Sequence, residues 1–352
     1  MERRITNTIH VGTLPIGGGH PITVQSMTNT STSDIRATVR QIRRLQDAGC
    51  DIVRVAVPDQ EAAIALGKIR AKIHLPLVAD IHFDHQLALT ALRQGIDSLR
   101  LNPGNIGSEA KVKEVVAMAK ERMTPIRIGV NSGSLSAEML KKYGHTAEAL
   151  VESALEHVAI LERMGYEAIK ISVKASSVPI TVESYRLLAA KVPYPLHIGI
   201  TEAGTDFAGT IRSAMGIGAL LLDGIGDTIR VSLTSDPVNE VRTGIEILKS
   251  LGLRKGLRII SCPTCGRTHI NLIRLTHEVE KALQPYQNVN ITVAVMGCVV
   301  NGPGEAREAD YGIAGGSGEG ILFRKGEIVA KLPEAELLCA LVDMIQAENP
   351  VH

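Results

Sequence analysis

Aromatic side chains are scarce: they make up 3% of the 352 residues, and there is no tryptophan. A core built without them must come from Ile, Val, Leu and Ala, a mix that suits parallel strands buried on both faces. An excess of charge of one sign is also missing, with 38 Lys and Arg facing 37 Asp and Glu. That balance gives no electrostatic basis for binding nucleic acid or an anionic membrane. No stretch approaches the roughly 18 consecutive apolar residues of a membrane span. The nearest, Ile217 to Ile225, is broken by Gly218, Asp223 and Gly224. The opening Met1-Glu2-Arg3-Arg4-Ile5-Thr6 has no apolar stretch behind its charges, so a cytoplasmic protein without a secretory leader is expected. Cysteines number five, in no regular framework. This argues against a disulfide scaffold, and clustered thiols in a reducing compartment point to metal ligation or catalysis.

What is present is a repeated local theme. A short β-branched run ends in polar residues, and a stretch of helical periodicity follows. Eight strands are predicted, at Ile22–Thr28, Asp51–Val57, Pro76–Ile81, Ser98–Asn102, Ile126–Asn131, Ala168–Val173, Leu196–Thr201 and Thr228–Leu233. Helices are predicted between them, among others at Ser33–Ala48, Ser108–Arg122, Thr146–Met164 and Pro237–Leu251, with start signals at Ser33-Asp34, Asp59 and Asp236-Pro237. Such alternation implies parallel strands with right-handed crossovers. Eight units over roughly 250 residues match a TIM barrel. The rival, an open doubly wound sheet, is disfavoured because no Gly-x-Gly-x-x-Gly follows the first strand. The pattern stops near Lys255. The expected architecture is therefore α/β: an N-terminal (β/α)8 barrel over residues 1–255 and a smaller C-terminal α/β domain over 256–352. In the latter, strands are predicted at Arg258–Ser261 and Asn290–Val295, helices near Asn271–Leu283 and Glu334–Ala347, and two more short strands. Gly315–Gly320 reads as a hairpin turn.

Five barrel strands carry a cation between apolar neighbours: Val53-Arg54-Val55, Leu99-Arg100-Leu101, Ile126-Arg127-Ile128, Ile169-Lys170-Ile171 and Ile229-Arg230-Val231. Burying an unpaired cation costs several kcal/mol, on the order of the desolvation penalty of any ion, so five need a common cause. With period-two alternation they converge on the barrel axis. Asn102, Asn131, Ser172, Lys174 and Ser232 then share their faces nearer the C-terminal mouth, where barrel active sites lie. Asp80 and Glu202 are the candidate carboxylates at strand ends. Two acids cannot neutralise this set, so the missing charge is expected from a ligand, and a diphosphate suits planar Arg forks and a Lys point charge. The competing arrangement turns some cations outward onto helix carboxylates; the repetition weighs against it. Asp80 and His82 share a face and could bind substrate hydroxyls or move a proton. His197 reads as core.

Cys262-Pro263-Thr264-Cys265 follows a short strand, and Cys298 lies in Gly297-Cys298-Val299-Val300-Asn301-Gly302-Pro303-Gly304-Glu305 after another. Three thiolates leave one coordination place. Zinc would complete it with His269 or His277. A cubane iron–sulfur cluster would leave its fourth iron to a weaker ligand, and Glu305 can swing back across the Gly-Pro-Gly turn to supply a carboxylate that exchanges readily. A thioredoxin-like redox pair is the weakest option, because the βαβ context is wrong. Cys50 and Cys339 read as inert buried residues.

Taken together, several stretches resemble the 4-hydroxy-3-methylbut-2-enyl diphosphate synthase family in its bacterial two-domain form. They are Val24-Gln25-Ser26-Met27-Thr28-Asn29-Thr30, Asp80-Ile81-His82-Phe83, Arg100-Leu101-Asn102-Pro103-Gly104-Asn105, Val173-Lys174-Ala175-Ser176, Gly199-Ile200-Thr201-Glu202-Ala203-Gly204 and the two cysteine motifs. The resemblance spans nearly the whole chain. It implies a [4Fe–4S] cluster on Cys262, Cys265 and Cys298, with Glu305 as fourth ligand, in the C-terminal domain. It implies 2-C-methyl-D-erythritol 2,4-cyclodiphosphate as substrate, held by Arg54, Arg100, Arg127, Lys174 and Arg230 with Asn131 and Ser232. It also implies Glu202 as the acid, ferredoxin or flavodoxin as electron donor, and a homodimer in which one protomer's cluster domain caps the other's barrel. Two alternatives stand beside it. One is a barrel lyase or transferase on a phosphorylated or pterin-like substrate, with structural zinc. The other is a non-enzymatic iron–sulfur carrier, which would need no convergent cations.

Overall fold

The computed structural model describes residues 2–268, 270–298 and 307–350. They form two compact units, Met1–Leu253 and Arg254–His352.

The first unit opens with a hairpin of β1 (Ile9–Val11) and β2 (Leu14–Ile16), paired antiparallel. Eight strands follow: β3 (Thr23–Met27), β4 (Ile52–Ala56), β5 (Leu77–Asp80), β6 (Ser98–Arg100), β7 (Ile126–Asn131), β8 (Ile169–Lys174), β9 (His197–Ile198) and β10 (Thr228–Ile229). Each lies within or against its predicted window. They hydrogen-bond in the order β8-β7-β6-β5-β4-β3-β10-β9. A parallel bridge between Ile171 and Leu196 joins the ends of that list, which closes the barrel. The helices begin where side-chain caps were legible: Asp34 accepts from Ala37 N, Asp59 from Ala62 N and Asp236 from Val238 N.

Residues paired across parallel strands share a face. The register matches Asp80 with Arg100, Arg100 with Arg127, Arg127 with Lys170 and Asn131 with Lys174. One face of the strands is therefore the polar barrel interior. The other, including Val53, Val55, Leu77, Ala79, Leu99, Ile126, Ile128, Ile169 and Ile171, is fully buried against the helices. At the N-terminal end of the barrel the hairpin acts as a stopper: Ile9, Val11 and Ile16 pack on Ile52 and Val78, all at most 4% exposed. This segment carries no strand signal in sequence, because three-residue strands are too short for periodicity.

Cations crowd the interior enough to dictate a glycine. A Cβ on Gly199 would stand 2.3 Å from Arg230 O and 2.8 Å from Lys174 Nζ. Gly199→Ala is expected to destabilise the barrel by roughly 1–3 kcal/mol through overpacking, read as a lower urea midpoint at unchanged slope.

The second unit is a five-stranded sheet ordered β11 (Arg258–Ser261), β12 (Thr292–Met296), β13 (Tyr311–Gly315), β14 (Glu319–Arg324), β15 (Glu327–Pro333). The first three strands run parallel and the last two pairings are antiparallel. Helices Leu272–Ala282 and Leu337–Glu348 bury Leu272, Leu275, Val279, Leu337, Leu341 and Ile345 with Val293, Val295 and Ile313. Where two short strands were predicted before the last helix, three form. The extra one, β13, hides in glycine-rich sequence because Gly312 admits the Phe323 ring of β14, whose Cζ would lie 2.2 Å from a Cβ there. Gly315 pairs with Gly320 across the hairpin, as the sequence suggested. Among the described residues no helix is long and apolar enough to cross a membrane.

Candidate active site

The barrel interior gathers the predicted cations. Asp80, buried, lies 3.4 Å from Arg100 Nη1, 3.8 Å from Arg54 Nε and 3.6 Å from His82 Nε2. Burial alone would push its carboxyl up, but Arg54, the His82 hydrogen bond, Arg100 and Arg127 together hold it well below the usual carboxylate range. Arg100 also donates from Nη2 to Gly129 O at 2.7 Å, and Nη1 lies 3.0 Å from the His82 ring nitrogens. Asn102 clamps Gly129 from both sides, accepting from its N at 2.8 Å and donating to its O at 3.0 Å. These contacts hold the Arg100 guanidinium in place.

A third carboxylate was not legible as such. Glu240, 5% exposed on the helix Pro237–Ser250, lies 3.7 Å from Arg230 Nη2 and accepts from Ser26 Oγ at 3.2 Å and Leu233 N at 3.0 Å. A charge on a helix reads as solvated. The available signal was its place on the apolar stripe with Val241, Gly244, Ile247 and Leu248. Arg230 thus pairs with a helix carboxylate, yet it faces inward, where it feels Arg54 and Asp80.

Asp80 and Glu240 leave the set under-neutralised. Arg127 Nε and Nη1, Arg230 Nε and Lys170 Nζ are buried with no hydrogen-bond partner. Burial, with Arg54 and Arg100 beside it, pushes the Arg127 guanidinium well below its ordinary pKa. Burial and the neighbouring Arg230, Arg127 and Arg54 do the same to Lys174. Arg230 is pushed down to about 10 by burial and Arg54. Native interiors leave few buried donors unpaired, so this constellation has the free donors and the charge to take up an anion.

The other predicted residues divide. Asn131 and Ser232 are half-buried at the C-terminal ends of their strand segments, and His82 is half-exposed in the loop after β5. His197 is fully buried, as expected of core. Glu202 is exposed, and its φ of 51° is rare for a side chain of this kind. Cys50 is buried as expected, but Cys339 is exposed. The helix Leu337–Glu348 buries Leu337, Leu341 and Ile345, which turns Cys339 to solvent.

In the second unit, Cys262 and Cys298 follow the C-terminal ends of adjacent parallel strands, with Ser261 opposite Val295. Cys262 Sγ accepts from Gly297 N at 3.2 Å. Thr268 ties the same loop: its N donates to Cys265 O at 3.0 Å, and its Oγ1 accepts from Cys265 N at 3.2 Å. A Cβ on Gly297 would touch that Oγ1 at 2.9 Å, so Gly297 lets the two loops meet. Hydrogen bonds from Arg267 lower the Cys265 thiol. Among the described residues no three His, Cys, Asp or Glu side chains converge as a preformed metal cage. Cys265 is exposed and the other two thiols are intermediate. Glu305 and His269 lie outside the described residues. His277, the other zinc candidate, is exposed and pairs with Glu280 at 3.3 Å.

Two family profiles match the chain in order: the GcpE TIM-barrel domain over residues 6–245 and the GcpE protein C-terminal domain over 258–347. Three curated relatives carry the name 4-hydroxy-3-methylbut-2-en-1-yl diphosphate synthase (flavodoxin). The protein of Geobacter sulfurreducens is 65% identical over 343 residues, 97% of each chain. That of Clostridium perfringens is 59% identical over 348 residues, 98% of this chain and 99% of its own. That of Ruminiclostridium cellulolyticum is 57% identical over 347 residues, 98% of each. With both domains matched and identity this high along nearly its whole length, the chain belongs to the GcpE family.

Proposed function

We propose that this protein is an oxidoreductase that opens and dehydrates 2-C-methyl-D-erythritol 2,4-cyclodiphosphate to 4-hydroxy-3-methylbut-2-enyl diphosphate, in the biosynthesis of isoprenoid precursors. One observation carries the substrate class: buried Arg127 and Arg230 nitrogens with no partner, inside a barrel whose cations outnumber its acids. A diphosphate supplies the missing acceptors. Arg54, Arg100, Arg127, Lys174 and Arg230 would grip it, with Asn131 and Ser232 adding neutral contacts at the mouth. Asp80 holds Arg54 and Arg100 in position, and His82 offers its ring to a substrate hydroxyl. Held this way, the substrate loses its freedom to turn, so the C–O bond to be broken keeps one orientation.

Glu202 is the proton donor in this reading. Its left-handed backbone is the kind of local strain that functional sites retain. The donor set of the second unit suits an iron–sulfur cluster. Cys262 and Cys298 issue from neighbouring strand ends joined through Gly297, and Cys265 is biased toward thiolate. Glu305 would complete the ligands. A [4Fe–4S] cluster bound there supplies single electrons and a Lewis-acidic iron. Flavodoxin, which the relatives' names include, is the electron donor we favour, with ferredoxin as the other one-electron carrier. In this reading the barrel, residues 1–255, binds substrate and residues 256–352 hold the cluster. The protein works in the cytoplasm as a homodimer, each cluster domain serving its partner's barrel.

Purified without oxygen, the protein should be brown, absorb at about 400 nm, bleach with dithionite, and convert the cyclodiphosphate when given reduced flavodoxin. A colourless zinc protein with no such turnover would overturn the assignment in favour of a lyase or transferase.

A further inference from the structure

Lys170 has no part in the grip described above. It sits on β8 four residues deeper than Lys174, is 1% exposed, and its Nζ has no hydrogen-bond partner. Cross-strand register sets it beside Arg127, a cation. His197, on β9, is fully buried; its Nδ1 pairs with Thr228 Oγ1 at 2.6 Å, and its ring is held neutral by burial and by Lys174, Arg127 and Lys170. The carboxylate that Lys170 feels, Asp227, is already engaged: it accepts from Leu196 N at 2.9 Å and Thr6 Oγ1 at 3.2 Å and pairs with Arg3 at 3.4 Å. The amine therefore faces a guanidinium, a neutral imidazole and a committed acid, below the place where a diphosphate would bind.

We propose that Lys170 takes up a proton from solvent when the diphosphate enters the barrel, so that the interior gains positive charge as the ligand brings negative charge. The change is an amine becoming an ammonium, with no bond between heavy atoms made or broken. Lys170 does not touch the ligand; it is a positioning residue that acts through Arg127 and through the field beneath the phosphates. Burial and Arg127 push Lys170 down to about 7, so near neutral pH the amine is poised between its two states. Nearby negative charge then tips it to the ammonium. This inference rests on the diphosphate-binding reading and adds a coupling to it.

The test is calorimetric titration of the cyclodiphosphate into the holoenzyme at pH 7, in buffers of low and high ionisation enthalpy, which counts the protons taken up. Phosphodiester groups are ionised throughout, so the count belongs to the protein. Wild type should take up about half a proton more per ligand than Lys170→Met, since an amine titrating at about 7 is half-charged there. Lys174 is present in both proteins and cancels. Raising the pH from 7 to 8.5 should weaken binding to wild type more steeply than to Lys170→Met, by up to about tenfold per pH unit. A purely structural lysine would move neither readout. Equal proton counts in the two proteins, or no uptake by wild type between pH 7 and 8, would overturn the proposal while leaving diphosphate binding intact. No binding heat from wild type would instead sink the functional reading and this inference with it. If Lys170→Met does not fold, Lys170→Gln takes its place in both comparisons, with the same outcomes deciding.

Discussion

Arg127→Met should give a protein that is harder to unfold and almost unable to bind its substrate. Arg127 is 2% exposed, with two guanidinium nitrogens lacking a hydrogen-bond partner and two other arginines beside it. Replacing such a buried charge with an apolar side chain of similar length is often stabilising, by about 1–4 kcal/mol. The gain should appear as a higher denaturant midpoint. Affinity for the cyclodiphosphate should fall about a hundredfold or more, because a charge-assisted, geometrically matched pair of hydrogen bonds is lost. The opposed signs are the point of the experiment. A residue kept for folding would lose both properties together; one kept for a ligand trades one for the other. An Arg127→Met protein that was less stable and still bound normally would contradict the anion-site reading.

Cys298→Ala should abolish turnover, by about a thousandfold or more, and remove the visible absorbance, since a cluster deprived of one of three thiolates is not retained. Binding of the cyclodiphosphate, measured by calorimetry, should stay within about threefold of wild type, because the cations belong to a unit with its own core. Colour and full activity surviving in this variant would remove Cys298 from the ligand set. Loss of binding together with activity would mean that the cysteine loop also shapes the substrate site.

Much of this is legible in the amino-acid sequence alone. The eight barrel strands announce themselves because each is a β-branched run ending in polar residues, and that grammar survives whatever packs around it. The cations were legible because five strands repeat one arrangement, and period-two geometry then leaves them a single place to meet. Glu240 escaped because an acid on a helix normally faces water, and only its place on the buried stripe sets it apart. The strand Tyr311–Gly315 escaped because glycine reads as loop, whereas Gly312 makes room for an aromatic ring from the next strand. The β1–β2 hairpin escaped because its value lies in what it covers, which no local pattern encodes. Cys339 was misplaced because an apolar neighbourhood in sequence does not say which side of a helix a residue occupies.

That hairpin has a consequence for timing. Ile9, Val11 and Ile16 pack on Ile52 and Val78 and plug the N-terminal end of the barrel with apolar side chains. In the proposed reading, whatever reaches the floor from the C-terminal mouth passes the place where the phosphates would rest. Bound there, they would stand across that route. A proton destined for Lys170 would then arrive before the ligand or alongside it, and be held for as long as the ligand stays. The order of arrival, and not only the final balance of charge, would follow from three apolar side chains at the far end of the fold.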